Sequence, residues 1–340
     1  ADLSEEIIRI KGYDHIPTAN VRTSEKVNSV ILSKEQKLIS KAKHFIAAQG
    51  YNELVTWSFS FSENCQFFGD NSKLKIVNPI SEDLDILRPS LLPNLIGAVK
   101  KNASRGFETF SIFEVGSQYK TSEPEDQMNI ACGIKAGIRQ KKDWQNEKSL
   151  FDVYDSKRDL FNLIDHLIPR QKKITIIDKA PDWYHPGRSA TVMLNQTTKI
   201  GYFGEIHPRI CQHFKIKERI NAFELFLDDI PSITKKTTNK SILNLSDFQS
   251  VSRDFAFVLD QNIKGYDLIE SAMKVDKNLI RDVEIFDLFE DPNLGNNKKS
   301  IAIKVTMQAP DRTLKEDEIQ ELSSKIIEVI EKSTSGSVRS

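Results

Sequence analysis

Residues 78–116, NPISEDLDILRPSLLPNLIGAVKKNASRGFETFSIFEVG, decide how the larger part of the chain folds. The stretch opens with a polar turn around Pro79 and runs into Ile86, Leu87 and Arg88. From Pro93 onward Leu92, Leu95, Ile96 and Val99 recur at helical spacing. Pro93 suits a first helical turn, where its missing N–H would have no partner anyway. After the Ser104-Arg105-Gly106 break, residues 110–115 form an apolar strand. Strand, helix and strand predict the middle of a large mixed sheet, with the flanking segments packed around it.

Upstream, Ser33 followed by Gln36 is a capping box. It opens a helix with Leu38, Ala42, Phe45, Ile46 and Ala48 on its apolar face and Gly50 at its end. Residues 51–59 then read as one strand. Downstream come a strand over 130–137 and a helix carrying Leu160, Leu163, Ile164 and Leu167, with Asp155 or Ser156 as its cap. A strand over 173–178 precedes a hairpin of 190–194 with 199–203, turning at 195–198. His185 to Ala190 (HPGRSA) reads as a partly buried turn, His207-Pro208 starts a short helix, and 221–227 is a last strand. Residues 20–30 and 231–245 lack periodicity and read as linkers.

The 340 residues are 39% hydrophobic and 28% charged, the balance of a globular chain of about two domains. No apolar run approaches the ~20 residues that span a bilayer, so no membrane role is expected. The chain begins Ala-Asp-Leu with no signal-peptide pattern, which reads as a fragment starting inside a helix. Three widely spaced cysteines, Cys65, Cys132 and Cys211, fit a reducing compartment and predict a cytoplasmic protein. Basic and acidic residues balance at 48 each. From residue 246 onward, however, 13 basic residues face 18 acidic ones, a poor composition for non-specific phosphate binding.

Beyond residue 245 the pattern changes. A strand over 253–259 alternates Phe255, Phe257 and Leu259. A helix over 263–275, strands over 283–289 and 300–308, and a helix opening at Thr313 with Glu316 in the capping-box position follow. A short strand at 336–339 completes the split βαβ, ferredoxin-like order. Both helices are expected on one face of the sheet, leaving Ala302, Lys304, Thr306 and Gln308 on an open face. Open sheet faces of this kind read single-stranded RNA by stacking bases and bonding their edges. Lys304 and Thr306, with nearby Lys298, are the candidate RNA contacts.

Asp2, Glu5 and Glu6 share one face of a first helix closed by Gly12. Acids there complement the helix dipole; clustered carboxylates also suit a hard cation such as Mg²⁺. His207, Cys211 and His213 lie close together, but no second ligand pair with zinc-like spacing joins them.

Several segments, in order, resemble one family: DLSEEIIRIKGYDHIP, LRPSLLPNLIGAVKKNASRG with IFEVG, HPGRSA, GYFGEIHP and SVSRDFAFVLD. They resemble the β chain of bacterial phenylalanyl-tRNA synthetase. The resemblance implies an α+β architecture, with a class II synthetase-like mixed/antiparallel sheet module and a ferredoxin-like βαββαβ domain. Residues 1–19 would end a truncated N-terminal domain, 20–230 form the catalytic-like module, 231–245 a linker and 246–340 the anticodon-binding domain. HPGRSA is then a structural signature, and the helix and strand over 33–59 match a motif that builds subunit interfaces. The expected departure is Phe248-Gln249, where the family carries an aromatic–proline pair. Asp2, Glu5 and Glu6 match carboxylates on a magnesium ion shared with the α subunit, with a further acidic ligand upstream of this chain.

By resemblance the assembly is an α₂β₂ tetramer that joins phenylalanine to tRNA(Phe) with ATP and Mg²⁺. No catalytic residue is expected within this chain. No glycine-rich phosphate loop occurs, no arginine adjoins the strand ending at Glu114, and Arg209 lacks a glycine pattern around it. Arg88 reads as a structural ion-pair partner. The alternatives are a free-standing tRNA-binding protein and an independently active adenylating enzyme.

Overall fold

A computed structural model describes residues 1–19, 31–168, 173–231, 245–291, 294–295 and 297–339. Both expected linkers, 20–30 and most of 231–245, lie outside the described residues. The chain falls into two compact units, Ala1–Asn239 and Lys240–Ser340.

In the first unit, helix α1 (Asp2–Lys11) ends at Gly12, whose φ of 95° belongs to the region that favours glycine. Helix α2 (Lys34–Ala48) starts on the Ser33/Gln36 capping box. Strands β1 (Asn52–Glu53) and β2 (Phe59–Ser60), the short helix α3 (Ser62–Cys65) and strand β3 (Ile86–Leu87) lead into helix α4 (Leu92–Ala103). Then come β4 (Thr109–Tyr119), β5 (Gln127–Gln140), β6 (Ser149–Leu150) and helix α5 (Val153–Leu167). Strands β7 (Ile174–Ile177), β8 (Tyr184–Leu194) and β9 (Thr198–Ile206), helix α6 (Pro208–His213) and β10 (Ile220–Phe226) complete the unit.

The large sheet has the order β1-β4-β5-β10-β9-β8-β7, with β6 added beside β5. Only the β1–β4 pairing in that order is parallel. The sheet is covered on both faces. Leu92, Leu95, Ile96 and Val99 of α4 pack with Ile130, Ile134 and Ala222 on one side. Ala42 and Ile46 of α2, with Leu160, Leu163 and Leu167 of α5, pack on Phe113, Phe223 and Leu225 on the other. The period-2 alternation of β5 and β10 supplies both layers.

Four sequence expectations change here. The 78–116 stretch does not hold the sheet's middle: β3 pairs with β2 in a separate ribbon, and β4 lies one strand from the edge. The central strand is β10, flanked by β5 and β9. Residues 51–59 do not form one strand. Thr56 donates from N and Oγ1 to Glu114, and Asn94 Nδ2 binds the Trp57 carbonyl at 2.9 Å, which pulls this backbone off the ladder. The cap of α5 is Asp152, which accepts from Tyr154 N and Asp155 N, while Asp155 bonds back to Asp152 N. HPGRSA lies inside β8, where the register shifts between Tyr184 and Ser189.

The second unit contains β11 (Val251–Asp260), α7 (Gly265–Val275), β12 (Ile280–Phe289), β13 (Lys298–Met307), α8 (Glu316–Thr334) and β14 (Ser337–Val338). Its sheet has the order β12-β13-β11-β14 and is antiparallel throughout. Leu268 and Ala272 of α7 and Ile319, Leu322, Ile326 and Ile330 of α8 pack with Phe257, Ile301, Ile303 and Val305. Both helices thus cover one face. Helix α8 opens at Glu316 rather than Thr313, because Lys315 N donates to Glu318 at 3.0 Å. The hydrogen bond from Arg312 to Glu318, 2.6 Å long, holds that carboxyl below its usual range.

A buried ion pair ties the first unit together. Arg88 Nη1 meets Glu114 Oε1 at 2.7 Å with both side chains 4% exposed. Arg88 also donates to the Ser117 carbonyl and to Thr56 Oγ1. Gly116 gives the guanidinium its room: a Cβ there would stand 2.7 Å from Arg88 Nη2. Breaking one partner of a buried pair leaves the other charge uncompensated. Arg88→Met is therefore expected to destabilise the unit by about 3–5 kcal/mol in urea unfolding. Glu6→Gln, which breaks the exposed Arg9–Glu6 pair, should change stability by less than about 1 kcal/mol.

Candidate nucleic-acid interface

The open face of the second unit carries the alternate residues of its strands. Ile301, Ile303, Val305 and Met307 are buried under the helices, whereas Ala302, Lys304 and Thr306 are half-buried on the other side. Lys298 is exposed at the start of the same strand. The structure thus places all three candidate contacts on one strand and one side of the sheet. Thr306 Oγ1 shares a hydrogen bond of 3.1 Å with Ser252.

Charge on this face differs from a simple basic patch. Lys304 stands in register with Asp254 on β11 and Glu284 on β12, and Lys298 with Asp260. Asp282 and Asp287 lie opposite Thr306 and Ala302. Laterally paired side chains share a face, so carboxylates flank Lys304 on both sides and one stands beside Lys298. Phosphate attraction is weak on such a surface.

What the face offers instead is aromatic. Phe286 and Phe289 of β12 are 53% and 42% exposed. The Lys304 ammonium lies 5.7 Å from the Phe286 ring centroid, and the Arg339 guanidinium 5.4 Å from that of Phe289. Strict alternation would put Phe286 and Phe289 on opposite faces. A register shift between Ile285 and Asp287 inserts one extra residue and re-aims the strand. Sequence reading missed both rings, since a bulge leaves no mark on composition. The signal available was the run Glu284-Ile-Phe-Asp-Leu-Phe289, too rich in exposed apolar residues for an ordinary edge strand. Exposed rings are platforms on which bases stack.

The other sequence candidates lie in the first unit. Asp2, Glu5 and Glu6 sit exposed on α1, and Glu6 is held by Arg9 at 2.5 Å. Among the described residues no group of three or more His, Cys, Asp or Glu converges to hold an ion. These carboxylates by themselves therefore do not fit a magnesium site. His207 caps α6 by accepting from Arg209 N, Cys211 is buried, and His213 Nε2 bonds Asn64 Oδ1. Arg209 donates to the Asp182 carbonyl and stacks on Phe67. Among the described residues no helix is long and apolar enough to cross a membrane.

Comparison with known proteins covers both units. Residues 19–227 match the model of the phenylalanyl-tRNA synthetase beta chain CLM domain, and residues 246–339 that of the ferredoxin-fold anticodon binding domain. A phenylalanine–tRNA ligase beta subunit of Bartonella henselae is 39% identical over 100% of this chain and 43% of its own length. One from Paramagnetospirillum magneticum is 38% identical over 99% of this chain and 42% of its own. The chain thus spans less than half the length of these curated relatives. A solved pyrrolysyl-tRNA synthetase of Desulfitobacterium hafniense shares 13% identity and a TM-score of 0.43 over 66% of this chain and 72% of its own.

The register around Lys304 makes one prediction independent of any ligand. Lys304→Glu sets a carboxylate between Asp254 and Glu284, and should destabilise the second unit by roughly 0.2–1 kcal/mol. Calorimetry should show the loss shrinking at high salt, and Lys304→Met should show much less of it.

Proposed function

The chain belongs to the phenylalanyl-tRNA synthetase β-chain family, and from that premise we propose that it forms a non-catalytic part of a phenylalanine–tRNA ligase. In this reading residues 20–230 support the active site of an α subunit. Residues 246–340 hold the anticodon region of tRNA(Phe) while a cytoplasmic α₂β₂ assembly joins phenylalanine to the tRNA with ATP and Mg²⁺. The supporting observation is the pair of exposed rings, Phe286 and Phe289, on an open sheet face otherwise rich in carboxylates. Such a face favours unpaired bases, which stack, over duplex backbone, which needs cations. Lys298, Lys304 and Thr306 then supply edge contacts rather than bulk charge.

The non-catalytic reading rests on how the charged groups of the module are engaged. Arg88 is enclosed by Glu114, Thr56 and the Ser117 carbonyl, and Arg209 is held by Asp182 and Phe67. Arg88 is thereby closed off from a nucleotide phosphate, whereas Arg209 is exposed and lines a cavity of about 780 Å³. Docking of an α subunit fits the loops that enter the β2–β3 ribbon. There Val55, Trp57, Val77 and Ile80 are 86%, 62%, 99% and 77% exposed, a concentration of apolar surface typical of association sites.

Two measurements test these roles. Phe286→Ala and Phe289→Ala should each weaken binding of a tRNA(Phe) anticodon stem-loop by about 1–3 kcal/mol in fluorescence anisotropy, with unfolding temperature preserved. Unchanged affinity in both would remove the RNA role from this face. Trp57→Asp with Val77→Asp should abolish co-elution with an α subunit in size exclusion while leaving the chain folded. Retained co-elution would place the docking surface elsewhere.

A further inference from the structure

Glu114, Cys132, Glu224, Tyr202 and Thr191 are successive lateral partners across β4, β5, β10, β9 and β8. They form one row on one face of the large sheet. The row contains two buried carboxylates, and only one has a cation in contact. Glu114 meets Arg88, whereas Glu224, 2% exposed, makes no ion pair among the described residues. Its oxygens accept from Ser90 Oγ at 3.0 Å, Tyr184 OH at 3.0 Å and Trp183 Nε1 at 3.3 Å. A carboxylate offers about four acceptor positions, and Oε1 here receives a single bond. Burial pushes the Glu224 carboxyl up, against these three donors and the more distant Lys199.

Glu224 lines a cavity of about 440 Å³ with Phe68, Trp183, Tyr202, Phe226 and Gln118. That size suits a small organic ligand. Gln118 Oε1 is buried without a hydrogen-bond partner, a second acceptor in the same wall. The cavity therefore combines aromatic sides with one acceptor that lacks a donor, Gln118 Oε1, and a carboxylate with spare acceptor capacity. Of the three lysines that line it, Lys73, Lys120 and Lys199, the last lies with its ammonium 5.2 Å from the Tyr202 ring and 5.5 Å from that of Phe226. Lys199 also lines an adjoining cavity of about 780 Å³, so it stands where the two spaces meet.

We propose that this cavity is a binding site for a small organic ammonium compound with an apolar or aromatic body. Its N–H groups meet the Glu224 carboxylate and its body packs among Trp183, Tyr202 and Phe226, a place Lys199 partly fills when no ligand is bound. The site shares no residue with the RNA and α-subunit surfaces proposed above and does not rest on either reading.

The test is isothermal titration of the full chain with 2-phenylethylamine and, as the charge-reversed control, 3-phenylpropionate, both at millimolar concentration. The amine should bind and the carboxylate should not. Glu224→Gln should weaken the amine about 10-fold or more, the loss of a charge-assisted bond. Lys199→Met removes the internal competitor and should tighten the amine about 2- to 30-fold. No binding of the amine to either wild type or Lys199→Met overturns the site, as does equal binding of the two probes. If Glu224→Gln does not fold, Lys199→Met decides: unchanged or weaker amine binding refutes the proposal.

Discussion

Two carboxylates in a single lateral row, Glu114 and Glu224, set the terms for the larger unit, because both are buried on the sheet face that α4 covers. A buried charge must be paired or hydrogen-bonded. Glu114 is answered by Arg88, and the pair draws in Thr56, the Ser117 carbonyl and the glycine at 116. Because Thr56 is bound to Glu114, the chain cannot continue as a strand after Glu53. It leaves the sheet with Val55 and Trp57 turned outward. The exposed apolar loop is thus a consequence of the buried pair. Glu224 is answered only by neutral donors, and the aromatic cavity beside it follows from that difference. The Cys132 thiol between the two is pushed well up by burial and then by both carboxylates, which leaves it inert.

The smaller unit meets a different constraint. Its helices seal one sheet face, and the acids in register with Lys298 and Lys304 leave little net positive charge on the other. The affinity of such a face for a polyanion comes from specific contacts rather than from counterion release. The β12 bulge supplies them by bringing Phe286 beside Lys304 while Phe289 meets Arg339 from the opposite edge strand. Phe289 and Arg339 reach toward each other over Ala256, Ala302 and Ser300, and Ser300 is 4% exposed despite facing away from the helices.

Local chemistry was legible in the sequence where it was self-contained. The Ser33/Gln36 cap, the glycine stop after α1, the 195–198 hairpin and the strand-helix-strand-strand-helix order needed only neighbours in sequence. The α+β fold class followed from those elements and from the family segments. Features set by distant partners were not legible. The break in 51–59 depends on Glu114, and the order of the sheet depends on pairings of strands far apart in the chain. The start of α5 was misplaced because two aspartates, Asp152 and Asp155, compete for one role and the reciprocal bonds decide. The aromatic face was hidden by a one-residue bulge. Lys304 was found by alternation, but the acids that surround it belong to other strands.

We propose that the module keeps a synthetase-like sheet whose buried Arg88–Glu114 pair serves its own interior and not a nucleotide. The most direct measurement is phenylalanine-dependent ATP–pyrophosphate exchange, by this chain alone and by an assembly of an α subunit with a full-length β chain. Silence from the chain alone with exchange by the assembly is the predicted result. Exchange by the purified chain alone would contradict it, and would require a nucleotide site in the region of Arg88 and Glu114.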